Sequence, residues 1–152
     1  MIKKIIIFVL CISPWFISNL LPLDYNYFNE INTPFFTPPR IFYPIAWTII
    51  YILISITTYA IFTQYKLKDI PISYKLSLLI NYIFNQSFTI IFFGLKNNFL
   101  GFISCFATFI SCLFLYKETQ LLQSKLSKLF YPYIALSIFA TILSLSIYLM
   151  NI

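Results

Sequence analysis

The sequence predicts an all-α membrane protein: a five-transmembrane-helix bundle in a single integral membrane domain, residues 1–152. Of the 152 residues, 61% are hydrophobic and only 9% are charged, whereas a soluble protein carries about 25% charged residues. So few charges cannot cover a surface that lies in water. The apolar segments recur along the whole chain, and each is close to the length of about 20 residues that crosses a bilayer.

The composition also excludes several kinds of site. The chain has no histidine, which excludes histidine acid–base catalysis and histidine-ligated zinc or haem iron. Cys11, Cys105 and Cys112 lie in predicted spans without C-x-x-C spacing, a pattern typical of inert buried thiols. We therefore expect no metal site and no required cofactor.

The first predicted span covers residues 3–21, where two lysines precede an apolar run. A cleaved signal peptide is the alternative, but Pro22-Leu23-Asp24 lacks a cleavage site of small residues. A retained span is favoured. Proline lacks the amide hydrogen that a helix interior uses, so we expect a kink at Pro14.

Residues 24–40 form a predicted loop with three prolines and an unusual number of aromatic side chains. Two interpretations remain open. The aromatic residues form a belt at the membrane interface, or the loop is a lid over a pocket between the helices. The aromatic residues concerned are Tyr25, Tyr27, Phe28, Phe35 and Phe36.

The other predicted spans cover residues 41–62, 76–93, 99–116 and 129–150. The last has Pro132 in its first turn, where proline is tolerated. Polar connections with most of the charges separate the spans. No charge falls in the middle of a span, which argues against a proton pump or an ion-coupled transporter.

The cations predict the topology. Arg40 and Lys96 lie on one predicted side of the membrane, and the other eight cations lie on the side of the N-terminus. The positive-inside rule then places the N-terminus in the cytoplasm and the C-terminus outside. Because the basic residues occupy short loops, we expect no nucleic-acid partner. The eight are Lys3, Lys4, Lys66, Lys68, Lys75, Lys117, Lys125 and Lys128.

Three amide side chains mark the third span. Asn81, Asn85 and Gln86 share one helical face, and amides in hydrocarbon need hydrogen-bond partners. They either form hydrogen bonds between helices, each of which contributes about 0.6 kcal/mol to stability, or they form the polar wall of a ligand pocket. Motifs of hydrolases, zinc proteases and P-loop enzymes are absent, so any chemistry depends on the ligand and on an aromatic neighbour such as Trp47.

Residues 23–152, and less clearly the first span, resemble the TspO/MBR family of tryptophan-rich sensory or translocator proteins (peripheral benzodiazepine receptors). The segment NYIFNQ at 81–86 is most similar to Gram-positive bacterial members. The matching motifs are PFFTPP at 34–39 for the family's P-x-W-x-P-P, PIAWTIIY at 44–51, Asn85 followed by FFGLK at 92–96, and PY at 132–133 followed by FAT at 139–141.

The resemblance implies a five-helix bundle, commonly a homodimer in membrane lipid, with a pocket under the first loop, and it implies a bacterial inner membrane. It further implies a flat hydrophobic ligand, protoporphyrin IX or a related tetrapyrrole, bound for sensing, transport or photo-oxidative breakdown. A lipid or small-molecule permease and a structural membrane subunit are the alternatives. Carried over by position, the ligand-binding residues are Phe28, Pro38, Trp47, Asn81, Asn85, Gln86, Phe88, Ser104, Leu136 and Ala140.

The chain departs from the family in its tryptophans, of which it has two, Trp15 and Trp47. Phe36, Leu136 and Leu145 stand where the family usually has tryptophan. Light-dependent porphyrin breakdown in some members involves a pair of pocket tryptophans, and only Trp47 remains here. The pattern therefore favours binding over catalysis, with Trp47 as the one candidate catalytic residue.

Overall fold

The structure, a computed structural model, describes residues 2–152, with side chains from residue 4 onward, and contains no strand within that range. The chain begins with helix α1 (Ile2–Ile12), which continues as a 3₁₀ segment (Ser13–Leu20). The other helices are α2 (Tyr27–Glu30), α3 (Phe42–Gln64), α4 (Ile72–Thr89) with a π-helical turn (Ile90–Gly94), α5 (Asn98–Leu122), α6 (Ser124–Ser127) and, after a 3₁₀ turn (Lys128–Phe130), α7 (Tyr131–Met150).

The all-α prediction is confirmed. Across residues 2–152, four helical segments are long and apolar enough to cross a membrane, and the first predicted span forms a shorter apolar helix, Lys4–Leu20. Around Pro14, where a kink is expected, the α-helix gives way to 3₁₀ geometry. The four long segments are Phe42–Gln64, Ile72–Gly94, Asn98–Leu122 and Ser124–Met150.

Helices α4 and α5 extend well beyond their predicted spans. Helix α4 begins at Ile72, directly after Pro71, and not at residue 76. Helix α5 continues past residue 116 to Leu122 and includes Lys117 and Glu118. An apolar segment indicates only the part of a helix that suits hydrocarbon, so it misses the polar turns that project beyond it.

The helices alternate in direction, so the connections gather at two ends of the bundle. The loop end contains residues 21–41, the turn at 95–97 and the C-terminus. The turn contacts the loop through Lys96, whose Nζ lies 2.8 Å from Asp24 Oδ2. The C-terminus contacts the loop through Asn151, whose Oδ1 accepts the backbone N–H of Asn32 at 2.9 Å. The lysine end contains residues 65–71 and 123–130, joined by a bond from Gln123 Nε2 to Gln64 Oε1 at 2.6 Å.

Side chains of α3 and α4 hold the first segment in the bundle. A proline and 3₁₀ geometry disturb the regular α-helical ladder around Pro14, and buried carbonyl groups need donors. Three such carbonyls accept side-chain hydrogen bonds, at 3.0 to 3.2 Å: Cys11 from Ser55, Pro14 from Tyr82, and Trp15 from Gln86.

Gly101 lets α5 lie close to the π-helical end of α4. A Cβ atom at this position would be 3.0 Å from Cδ2 of Phe92. Phe92 is only 2% exposed and stacks on Phe88, with ring centroids 5.3 Å apart, so it has little room to move. The small residue on α5 thus positions an aromatic wall on α4.

Candidate ligand-binding cavity

A cavity of about 480 Å³ opens at the loop end between α3, α4, α5 and α7. Its lining on α7 extends from Leu136 to Ile147, which at 1.5 Å per residue is a depth of about 16 Å. This is about half of a 30 Å hydrocarbon core. The lining includes nine aromatic side chains: Tyr25, Phe28, Tyr43, Trp47, Tyr51, Phe88, Phe92, Phe93 and Phe139.

Trp47 forms part of the α3 wall. Helix α3 begins just after the proline-rich loop, and Trp47 and Tyr51, one turn apart, both line the cavity. The Trp47 ring lies 6.0 Å from that of Tyr51 and 6.1 Å, edge to face, from that of Tyr133. These contacts hold the indole while part of its surface remains accessible.

The α4 wall consists of Phe88 and Phe92, whose rings stack with an interplanar angle of 19°. Phe28 of the loop packs against Phe92, with centroids 6.3 Å apart. Stacked rings present a flat, apolar surface. The cavity therefore has aromatic walls on both α3 and α4.

Helix α7 supplies a third wall that the sequence analysis identified only in part. Leu136 and Ala140 line the cavity as expected from the resemblance, and Leu143, Ser144 and Ile147 line it as well. Positions separated by three or four residues share one face of a helix. That spacing, counted from Leu136, could have identified the residues that the sequence analysis missed.

Among the polar groups of the cavity that were not predicted, Arg40 and Tyr43 are the most informative. Arg40 lines the cavity with its guanidinium carbon 5.8 Å from the centre of the Phe28 ring, and it donates to the Tyr25 carbonyl at 3.4 Å. Tyr43 Oη is buried and has no hydrogen-bond partner among residues 4–152. The sequence analysis used Arg40 only for topology, and no pattern distinguished Tyr43 from the other tyrosines.

A hydrogen-bond network lies across the inner end of the cavity. Tyr51 Oη donates to Asn85 Oδ1 at 2.9 Å, and Asn85 Nδ2 donates to Tyr133 Oη at 3.2 Å. Tyr133 Oη donates to Asn81 Oδ1 at 3.0 Å, and Asn81 Nδ2 donates to Ser111 Oγ at 3.0 Å. Asn85 is thus both a cavity-lining residue and an interhelical link.

Gln86 extends this network to the first segment. Its Nε2 donates to the Trp15 carbonyl at 3.0 Å and to Asn85 Oδ1 at 3.2 Å, and its Oε1 accepts from the backbone N–H of Ser18 at 3.2 Å. The network therefore joins the 3₁₀ segment to α3, α4, α5 and α7. A buried network with every amide satisfied specifies one arrangement of the helices.

The structure brings six of the ten expected ligand-binding residues to the cavity and leaves four outside its lining. Asn81 and Gln86 are buried in the network described above. Ser104 donates to the Phe84 carbonyl at 3.0 Å and so links α5 to α4, and Pro38 is half-buried in the loop. The six lining residues are Phe28, Trp47, Asn85, Phe88, Leu136 and Ala140.

The loop combines the two interpretations left open by the sequence. Its first part covers the cavity, because Tyr25 and Phe28 line it, while Phe35 is fully exposed and Phe36 is also exposed. Phe36 nevertheless packs edge to face against Phe139 of the cavity wall, with ring centroids 6.4 Å apart. The first half of the loop, residues 24–32, is therefore a cover over the cavity, and in the second half Phe35 is the fully exposed ring that an interfacial belt would use.

Lys96 ties the cover to the turn between α4 and α5. Its Nζ lies 2.8 Å from Asp24 and 3.5 Å from Glu30, and 5.3 Å from the centre of the Tyr27 ring. Hydrogen bonding to Lys96 lowers the pKa of Asp24, and the same bond raises the pKa of Lys96. Each charge thus favours the ionised form of the other.

The acidic and cysteine side chains are scattered. Among the residues described, no three of them lie close enough to hold a metal ion. The cavity lining itself offers aromatic surfaces for stacking, a cation at the mouth, and a few hydroxyl, amide and thiol groups.

The sequence is similar to several known proteins. A family model described as the TspO/MBR family matches residues 5–149. The chain is 33% identical to the tryptophan-rich protein TspO of Bacillus cereus over 150 residues, which cover 98% of this chain and 97% of the relative. It is 32% identical to the membrane protein YtaB of Bacillus subtilis (88% of this chain and 85% of the relative) and 30% identical to the tryptophan-rich protein TspO of Archaeoglobus fulgidus (83% and 80%).

Proposed function

This chain belongs to the TspO/MBR family of integral membrane proteins, and on that premise we propose that its cavity binds a flat hydrophobic ligand of the tetrapyrrole class, such as protoporphyrin IX. One observation carries the proposal: the cavity has aromatic walls on two helices, with Trp47 on α3 and the stacked Phe88 and Phe92 on α4. A volume of about 480 Å³ lies within the range of small-molecule sites, about 300–1,000 Å³.

The polar groups support a ligand with acidic substituents at one edge. Arg40 at the mouth can pair with a carboxylate, the group that a guanidinium binds best. Tyr43 Oη has no partner within the described part of the chain, and a buried hydroxyl without a partner is an available donor. Porphyrins such as protoporphyrin IX carry carboxylates on one edge of an apolar macrocycle, which matches this arrangement.

The first segment serves, in this proposal, as the fifth span. Eleven α-helical residues at 1.5 Å and eight 3₁₀ residues at about 2.0 Å extend about 32 Å, enough for a hydrocarbon core of about 30 Å. The N-terminus then lies in the cytoplasm and the C-terminus outside a bacterial inner membrane, as the eight cations at the lysine end favour. Assembly as a homodimer in membrane lipid belongs to the same proposal.

Ligand binding could serve sensing, transport or photo-oxidative breakdown, and the arrangement of the cavity favours sensing. The network of Tyr51, Asn85 and Tyr133 lies across the inner end of the cavity, so ligand binding would act on side chains that join the helices. Transport needs a route past that network. Photo-oxidative breakdown depends on Trp47 alone, because Leu136 lines the cavity at the position where the family usually has tryptophan.

The proposal is tested by titrating the purified protein in detergent with protoporphyrin IX, followed by Soret absorbance and tryptophan fluorescence. The two tryptophans provide a matched pair of variants. Trp47→Phe alters an indole that lines the cavity, and Trp15→Phe alters one that does not. We expect saturable binding that Trp47→Phe weakens by about tenfold, the loss of about 1.4 kcal/mol of stacking.

Trp15→Phe is expected to change the affinity by less than Trp47→Phe. Non-saturable partitioning that is the same in all three proteins would overturn the proposal. Equal weakening by both variants would show that the loss is not specific to the indole that lines the cavity, and would contradict stacking on Trp47.

A further inference from the structure

We propose that the chain has a second binding site, for an anionic phospholipid, in a groove between the first segment, α3 and α4. The groove has a volume of about 410 Å³ and extends from Lys75 and Phe62 at the lysine end to Trp15 near the middle of the bundle. It is separate from the loop-end cavity and shares no lining residue with it.

The interior of the groove suits hydrocarbon. Most of its lining is apolar, including Leu78, Pro14 and Trp15. The hydroxyl of Tyr82 already donates to the Pro14 carbonyl at 3.0 Å, so it is not free for a polar ligand. An acyl chain needs no hydrogen bond, and it is the ligand that surrounding lipid supplies.

The groove lies on the outside of the bundle. Leu10 is 66% exposed and Leu79 is 52% exposed, and they lie on the first segment and α4, where both line the groove. In a membrane these surfaces contact lipid tails. A tail can therefore enter sideways, without passing through the protein.

A single cation marks the lysine end of the groove. Lys75 lines it, and within residues 4–152 the ion pairs formed by side chains involve Lys96 and not Lys75. The spacing from Lys75 to Tyr82 along α4 is seven residues, or about 10 Å. A headgroup phosphate at Lys75 would thus place the first part of an acyl chain along the groove, toward Trp15.

The charge distribution favours an anionic headgroup over a zwitterionic one. The predicted topology assigns eight cations and two acids, Asp69 and Glu118, to the side of the lysine end, and two cations and two acids to the side of the loop end. By this assignment the whole net charge of +6 lies on the side of the lysine end. Basic residues close to a membrane surface attract anionic lipid by about 1 kcal/mol each.

Trp15 makes the site measurable, because in a Trp47→Phe background it is the sole tryptophan. The protein is placed in phosphatidylcholine vesicles that contain a small fraction of lipid with brominated acyl chains, which quench indole fluorescence on contact. The brominated lipid is either phosphatidylglycerol or phosphatidylcholine. We expect about fivefold stronger quenching per brominated phosphatidylglycerol, the equivalent of about 1 kcal/mol.

Lys75→Gln is expected to abolish this preference, and Lys68→Gln, which removes a lysine of the same end that does not line the groove, to retain it. Equal quenching by the two lipids in every variant would overturn the choice of an anionic headgroup. Absence of quenching by either lipid would show that no acyl chain reaches Trp15.

A second measurement avoids the tryptophan substitution. Native mass spectrometry of the otherwise unmodified chain, delipidated and then given phosphatidylglycerol, counts the lipids retained. One retained lipid that Lys75→Gln removes and Lys68→Gln does not supports the site. Retention that is unchanged by Lys75→Gln contradicts it. Neither measurement uses a porphyrin, so the result is independent of the function proposed for the cavity.

Discussion

Two tyrosines on α3 show how the same side chain serves two purposes. Tyr43 and Tyr51 both line the cavity, yet Tyr51 Oη donates to Asn85 and Tyr43 Oη has no partner in the described chain. A satisfied buried hydroxyl contributes to stability, whereas an unsatisfied one costs free energy. Tyr51 is therefore a structural residue at the cavity wall, and Tyr43 is a donor available to a ligand.

The paired substitutions Tyr43→Phe and Tyr51→Phe should separate these roles. We expect Tyr51→Phe to lower the free energy of unfolding by about 1 kcal/mol, because a network bond is lost. Tyr43→Phe should leave that free energy unchanged or raise it slightly, and should weaken protoporphyrin binding by about threefold to tenfold. Denaturation by SDS and the Soret titration measure the two effects. Destabilisation by Tyr43→Phe would show that its hydroxyl has a partner in the membrane.

Leu136 and Leu145 allow a test of photochemistry by gain of function. Both stand at positions where the family usually has tryptophan, but Leu136 lines the cavity whereas Leu145 does not and is 37% exposed. We expect Leu136→Trp to accelerate the light-dependent loss of protoporphyrin absorbance severalfold, because it places a second oxidisable indole beside the ligand. The matched variant Leu145→Trp should bleach the ligand at the wild-type rate. Equal rates in both variants would contradict a role for the pair.

At the scale of the element, the loop cover depends on the turn between α4 and α5. Lys96 has a φ of 50°, and this left-handed conformation turns the chain directly after the π-helical end of α4. Its ammonium group binds Asp24 and Glu30, and its carbonyl accepts a hydrogen bond from Tyr27 Oη at 3.2 Å. One residue thus fastens the cover through both its side chain and its backbone.

The ion pairs of Lys96 predict how the cover responds to pH. Because the pKa of Asp24 is lowered, its contribution is present above the ordinary carboxyl pKa and is lost as the pH falls through the lowered value. Because the pKa of Lys96 is raised, its contribution is present below the ordinary lysine pKa and is lost as the pH rises through the raised value. We therefore expect the cover to be fastened from about pH 5 to about pH 9.

Amide hydrogen exchange of residues 24–32 measures the state of the cover without a ligand. Once corrected for the intrinsic pH dependence of exchange, protection should be constant within this window and fall below it. Asp24→Asn should reduce protection within the window and remove most of the acid-induced change, and Asp69→Asn, at the lysine end, should not. An unchanged profile for Asp24→Asn would mean that the ion pair does not hold the cover.

At the scale of the whole molecule, charge and hydrogen bonding divide the bundle in different ways. The predicted topology assigns the net charge of +6 entirely to the side of the lysine end and leaves the side of the loop end neutral overall. The network of amides and tyrosines lies between the two ends and joins the first segment to four helices. Charge therefore favours one orientation in the membrane, while the network holds the helices around the cavity.

The orientation can be measured with reporter fusions. An alkaline phosphatase domain fused after Ile152 should be active, because the C-terminus is expected outside, whereas the same domain fused after Gln123, at the lysine end, should be inactive. A green fluorescent protein should show the reverse pattern. The positive-inside rule is the physical reason, and an inactive phosphatase at the C-terminus would reverse the proposed topology.

The fold class, the family and part of the cavity lining follow from the sequence alone. Its low charge and long apolar runs determined that it is a helical membrane protein, since backbone groups in hydrocarbon must bond within each segment. The motifs around Trp47, Asn85 and Gly94 determined the family. The family resemblance, carried over by position, placed six of its ten ligand-binding residues in the cavity lining.

Only the tertiary structure decided which polar residues face the cavity and which face other helices. Asn81, Asn85 and Gln86 share one face of α4, yet only Asn85 reaches the cavity, because α5 covers Asn81 and the first segment covers Gln86. The availability of Tyr43 and the position of Arg40 over Phe28 depend in the same way on distant parts of the chain. Periodicity describes one helix at a time, whereas the environment of a side chain is set by the neighbours that packing brings to it.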